Sequence, residues 1–156
     1  TVPYGGWVES GWITQTPGNV IDYDVVEAQI LEDWERFQPR QIAYDTWNAA
    51  STANRFSEAG VEMVQFIQGG KSYNPAFKAL ERAYRSGHFS HGNDPVLLWA
   101  ASNLVPRYDG NMNMAPDKKR SADKIDPMCA LMMAFGIAEA DIEEDLSGFF
   151  SAPVHG

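Results

Sequence analysis

Along the chain, stretches with an apolar residue at every third or fourth position alternate with short runs that are apolar at consecutive positions. From Asp22, residues Tyr23, Val26, Ile30, Trp34 and Phe37 recur at spacings of three and four. That spacing predicts an amphipathic helix, which Pro39 ends. "RQIAYD" (40–45) predicts a short buried strand with Asp45 at its C-terminal end. Helical spacing returns after Asn48, a candidate N-cap, and Gly60 stands where a left-handed C-terminal cap belongs. "VEMVQFI" (61–67) is apolar on both alternating faces, the pattern of a central strand. Beyond "QGGKSY", Asn74 and Pro75 have the residue types of N-cap and first helical position. The helix they open has a core stripe of Phe77, Leu80 and Tyr84, and Gly87 closes it.

The remaining elements are shorter until the last. Residues 3–10 predict a helical turn, and "TPGN" (16–19) breaks the chain. "DPVLLWAASN" predicts a short helix. "LVPRYD" and "NMNMAPD" flank Gly110 and predict a hairpin whose first strand Pro106 confines to an edge or a bulge. A long helix opens at Asp126-Pro127 and runs to about Ala140, apolar on nearly every face and therefore expected to be buried. The order of strands and helices predicts an α/β fold with a partly parallel sheet. Two central strands make a thin sheet for so many helices, and "TVPYGGWVESGW" begins at Thr1. Both features lead us to expect a piece of a longer polypeptide, with strands upstream. The expected organisation is a partial domain over 1–140 and an acidic tail over 141–156.

Composition sets limits on this picture. At 156 residues, with 44% hydrophobic and 21% charged, the chain has the make-up of one ordinary globular domain. No apolar run approaches the ~20 residues that span a bilayer. The single cysteine, Cys129, excludes an internal disulfide and favours a reducing, cytoplasmic setting. Its apolar surroundings make it a core residue. Charge is uneven: residues 1–70 carry a net −7, residues 71–124 a net +4 and residues 125–156 a net −6, within an overall −9. The basic middle is the part that can face a polyanion.

Four stretches bear candidate chemistry. "QFIQGGKS" ends like a phosphate-cradling loop, but the place of the required first glycine is Gln65, so a nucleotide site is not expected. The helix start expected at Asn74-Pro75 also lies too late for Lys71 and Ser72 to open it. His88 and His91 have no nearby cysteine to complete a zinc site and are expected to be hydrogen-bonded loop residues. Asp45 ends a strand, where α/β proteins place working groups, and needs a cation, a donor cluster or a proton. Its simpler role is to accept hydrogen bonds from the turn around Thr46 and Asn48. Asp126 before Pro127 is a good helix start, worth about 1 kcal/mol as an N-cap. A carboxylate on so rigid a support can equally coordinate Mg²⁺ or Mn²⁺, which take oxygen ligands. The Lys118, Lys119 and Arg120 run before it can then hold a phosphate backbone.

"VPYGGWVESGWITQTPGNVIDYD", "IAYDTWNA", "HGNDPVLLWAASNLV" and "PDKKRSADKIDPMCALMMA" occur in that order, and together they resemble the C-terminal nuclease domain of tailed-bacteriophage terminase large subunits. The resemblance runs from about Val2 to Ile137. It implies an RNase H-like three-layer α/β fold. It also implies a metal-dependent endonuclease that cuts concatemeric double-stranded phage DNA during packaging in the host cytoplasm. Two Mg²⁺ or Mn²⁺ ions roughly 3.5–4 Å apart would serve the hydrolysis. Asp45 matches the family's second acidic position and Asp126 its third; the first would lie upstream of Thr1, together with the packaging ATPase domain. Asp109, Asp117 and Asp123 are candidate substitutes for it, and spacing selects none. Where the family usually has glycine after the third acid, this chain has Pro127. Lys118, Lys119, Arg120 and Lys124 are the expected phosphate contacts, with Lys78, Arg82 and Arg85 a weaker second face. The small terminase subunit and the portal are the partners implied. The alternative is a non-catalytic assembly or DNA-binding module, which can pair into a dimer through exposed strand edges.

Overall fold

A computed structural model describes residues 1–151; the side chains of Trp47, Asn48 and residues 143–151 lie outside the description. Among the described residues, six helices and four strands follow in the order α1 (Tyr4–Glu9), α2 (Tyr23–Phe37), β1 (Ile42–Tyr44), α3 (Thr46–Glu58), β2 (Met63–Gln65), α4 (Gly70–Arg85), α5 (Pro95–Asn103), β3 (Pro106–Tyr108), β4 (Met114–Pro116) and α6 (Asp126–Ser151). No helix among them is long and apolar enough to cross a membrane.

β1 and β2 pair in parallel, with Ile42 opposite Met63 and Tyr44 opposite Gln65. A parallel pair needs a crossover, and α3 supplies it. Gly60, at φ 89°, turns the chain out of α3. There Val61 N–H reaches back to Phe56 O at 3.0 Å and Gly60 N–H to Ser57 O at 3.0 Å, which satisfies the last helical carbonyls. β3 and β4 form the expected antiparallel hairpin, with Arg107 opposite Ala115. β3 is wholly exposed and β4 wholly buried, so Pro106 does stand on an edge.

The core lies where α4 and α6 cross, over Phe66, Tyr73, Ala76, Leu80, Met132 and Met133. Gly136 of α6 permits the close approach: a Cβ there would stand 2.8 Å from Phe66 Cε2 and 3.2 Å from Ala76 Cβ.

Several expectations are corrected. β1 is only half-buried and Gln65 of β2 is exposed, because the described sheet has two strands and each keeps one unpaired edge. α3 begins at Thr46, directly after Asp45; the side chain of Asn48, the expected cap, is outside the described residues. α4 begins at Gly70, so Pro75 lies inside it. Asn74 does not cap the helix. Its Oδ1 accepts from Met114 N–H at 3.4 Å and its Nδ2 donates to Asn113 Oδ1 at 3.3 Å, which ties α4 to the hairpin. α6 continues past Ala140 to Ser151, so residues 141–151 of the expected acidic tail are helical and 152–156 lie outside the description. It also exposes Ala130, Ala134 and Ala138, short side chains that tolerate a solvent-facing stripe. α2 follows its sequence signal, with Asp22 Oδ1 accepting from Asp24 N–H at 3.0 Å, yet none of its residues is buried.

Candidate nuclease site

Asp45 leaves the end of β1 and Asp126 opens α6, so both carboxylates are held by elements rather than by long loops. Asp126 is not the N-cap expected of it. The first helical bond runs from Cys129 N–H to Ile125 O at 3.0 Å, which makes Ile125 the capping residue. The Asp126 carboxylate instead accepts from the Lys118 ammonium at 3.1 Å, with both side chains more than half exposed. Asp45, half-buried, accepts from Gln68 Nε2 at 2.8 Å.

Lys118 is the centre of this arrangement. It lines a cleft of about 410 Å³ with Gln68, Tyr73, Arg107, Lys119 and Cys129. It also lines a second, of about 450 Å³, with Ser121, Asp123, Lys124 and Asp126. Partial burial works against its charge, but the hydrogen bond and charge of Asp126 outweigh it and raise the ammonium above its ordinary value. Cys129 and Asp45 add smaller pulls in the same direction. The Tyr73 phenol is pushed upward by burial first, then by Cys129, Asp45 and Asp126. Asp45 lines neither cleft, but its partner Gln68 lines the first, and Lys118, the partner of Asp126, lines both. The Tyr73 hydroxyl is buried without a hydrogen-bond partner; the Cys129 sulfur lies near it but out of bonding geometry. Cys129 is buried, as expected, and burial raises its thiol.

The family profile described as terminase large subunit, endonuclease domain, matches residues 1–142. The chain belongs to this family. It is 33% identical over 157 aligned positions to the terminase large subunit of Enterobacteria phage HK97, which covers 97% of the chain and 31% of that protein. It is 29% identical to the protein YmfN of Escherichia coli K12, over 89% of the chain and 31% of YmfN. The crystal structure of the HK97 bacteriophage large terminase superposes with a TM-score of 0.78 at 34% identity, over 86% of the chain and 29% of that structure. The chain therefore spans about a third of the length of these relatives.

Within this terminase nuclease domain, the other expected site residues have distinct fates. Lys119 lines the first cleft and Lys124 the second, whereas Arg120 lines neither. Asp117 lines the first cleft, but its Oδ1 accepts from the backbone of Lys119 and Arg120 and so holds the basic turn. Asp123 shares the second cleft with Asp126. Asp109 is spent on the hairpin, accepting from Asn111 and Asn113. Of the second basic face, Arg82 pairs with Glu139, and Arg85 with Glu81 at 2.8 Å, which offsets its field. His88 bonds Ser86 Oγ at 3.0 Å, as expected of a loop histidine. His91 departs from that expectation, because its Nδ1 is buried without a partner.

Lys71 and Ser72 do open α4, contrary to the later start expected, but the position that needs the first glycine is Gln65 in β2. Sequence spacing missed Gln68 and Arg107. The only signal of Arg107 was its place beside Pro106 on an edge strand, and Gln68 gave none.

Proposed function

We propose that this domain is an RNase H-like, divalent-metal-dependent endonuclease acting on double-stranded phage DNA during genome packaging. The observation that supports this most is that the partners of Asp45 and Asp126, Gln68 and Lys118, line one cleft together with Arg107 and Lys119, in a chain of the terminase nuclease family. The donor set fits Mg²⁺ or Mn²⁺ in kind, because the two carboxylates offer hard oxygens and one of them already carries a cation, the Lys118 ammonium. In number the set is short. Among the described residues no group of three or more His, Cys, Asp or Glu side chains stands close enough to hold an ion.

Asp45 and Asp126 are the residues that would hold the metal. When bound, such an ion polarises a phosphoryl oxygen and lowers the pKa of its water. Gln68 fixes the rotamer of Asp45 through its 2.8 Å bond. Lys118 neutralises the Asp126 carboxylate at rest and, with Lys119, meets the phosphate that enters the cleft. Tyr73, kept protonated by burial, closes the floor against bulk water. The packaging ATPase domain, the small terminase subunit and the portal are the partners this reading assigns, in the host cytoplasm.

A second reading, a non-catalytic DNA-binding or assembly module, is favoured by the short ligand set. Calorimetric titration with Mn²⁺ of the parent, Asp45→Asn and Asp126→Asn distinguishes them. Binding abolished by either substitution, followed by plasmid nicking, supports the nuclease. Binding that neither substitution changes sinks the assigned site, and metal-bound protein that never nicks supports the module.

A further inference from the structure

The β3–β4 hairpin breaks two local rules at one residue. Met112 N–H donates to Asp109 O at 3.0 Å and Asp109 N–H to Asn113 O at 3.1 Å, a tight turn followed by a left-handed residue. Glycine or asparagine suits that position. The residue there is Met112, at φ 61° and 71% exposed, while asparagines stand on either side of it. A large apolar side chain in a strained conformation and in solvent adds nothing to folding. Such outliers cluster where function demands them.

The turn is nevertheless firmly held. The Asp109 carboxylate accepts from Asn111 N–H at 2.9 Å, Asn113 N–H at 2.9 Å and Asn113 Nδ2 at 3.0 Å. Asn113 and Met114 are in turn bonded to Asn74 of α4, the helix whose Tyr73 floors the first cleft. Arg107, exposed on the same hairpin, lines that cleft with Lys118 and Lys119. The hairpin thus presents a cation at the cleft and a rigidly mounted methionine at its tip.

We propose that this hairpin is a second DNA-contacting element, in which Arg107 takes a phosphate and Met112 enters the minor groove as an apolar wedge that bends the duplex. The inference rests on the nuclease reading above. Charge complementarity selects the occupant, since Arg107, Lys118 and Lys119 converge where a polyanion backbone would pass. Apolar wedges, methionine among them, partly unstack a base step and kink DNA toward the major groove.

The test uses a duplex of about 30 base pairs with dyes at both ends, at low ionic strength and with chelator present, so that bending is read without cleavage. The parent should bind and shorten the end-to-end distance. Arg107→Gln should reduce the slope of log affinity against log salt by about 1. Met112→Asn should raise the melting temperature by about 2 °C, keep the salt slope and abolish the bend. A bend that survives Met112→Asn overturns the wedge, and an unchanged slope in Arg107→Gln overturns the phosphate contact. No DNA binding by the parent overturns the nuclease reading itself, and the hairpin's role with it.

Discussion

Replacing Gly136 with alanine sets two effects of opposite sign against each other. Alanine in place of glycine in a helix interior gains about 1 kcal/mol from backbone entropy. Here, however, the new methyl would lie 2.8 Å from Phe66 Cε2 and 3.2 Å from Ala76 Cβ. Neither neighbour can move aside. Ala76 is 0% exposed, and the Phe66 ring is packed edge-on against Tyr73, with centroids 5.1 Å apart. Overpacking of this kind costs about 1–3 kcal/mol. The clash should win, for a net loss of about 1 kcal/mol and a melting temperature lower by roughly 2–4 °C. Thermal and urea denaturation of the parent and Gly136→Ala measure it. Adding Phe66→Leu removes the ring edge, so the double variant should lose less than the sum of the two single variants. A Gly136→Ala variant as stable as the parent, or more so, would refute the close-approach argument.

Tyr73→Phe removes a buried hydroxyl that has no hydrogen-bond partner, so stability should hold or rise slightly in urea unfolding; a drop above about 1 kcal/mol would mean that Cys129 is a true partner. Asp109 is held below its ordinary value, chiefly by the Asn113 side chain and then by the backbone of Asn113 and Asn111. A depressed carboxylate stabilises above its unfolded value and loses that contribution as pH falls through its folded one. The Asn111 and Asn113 amide resonances should therefore move toward random-coil positions only at pH below the ordinary aspartate value, and movement above it would show that the carboxylate is not held by these donors. Reversing the charges of Lys118, Lys119 and Arg120 should weaken DNA binding and flatten its salt dependence by about 0.9 for each phosphate no longer neutralised, and an unchanged slope would exclude this turn from the interface.

Elements whose signals are local could be read from the sequence. Asp22 and Asp94 cap their helices through neighbouring amides, and Gly60 turns the chain with its own backbone. The hairpin around Gly110 needed only turn chemistry and a proline on its edge. Misreadings arose where distant partners compete for the same atoms. Asn74 has the residue type of a cap, but the hairpin about forty positions on claims its amide. Asp126 has the same type, but Lys118 claims its carboxylate and Ile125 provides the capping carbonyl. Asp45 and Asp126 could be singled out because each ends or begins an element. The meeting of their partners Gln68 and Lys118 at one cleft, and the place of Arg107 beside it, arise only from the packing of β1, α4, α6 and the hairpin.

The loose seating of α2 has a consequence for the order in which the molecule comes apart. α2 itself contributes no buried residue, and its Glu27 reaches across to Thr52 at 3.0 Å and to Arg55 of α3. A helix fastened by surface polar contacts opens at a free energy well below that of the α4–α6 core. Salt weakens such a fastening, so α2 should exchange its amides and admit protease near Arg36 and Arg40 long before the carboxylate-bearing elements loosen. The domain should therefore shed this arm as a separate unit while the cleft stays intact.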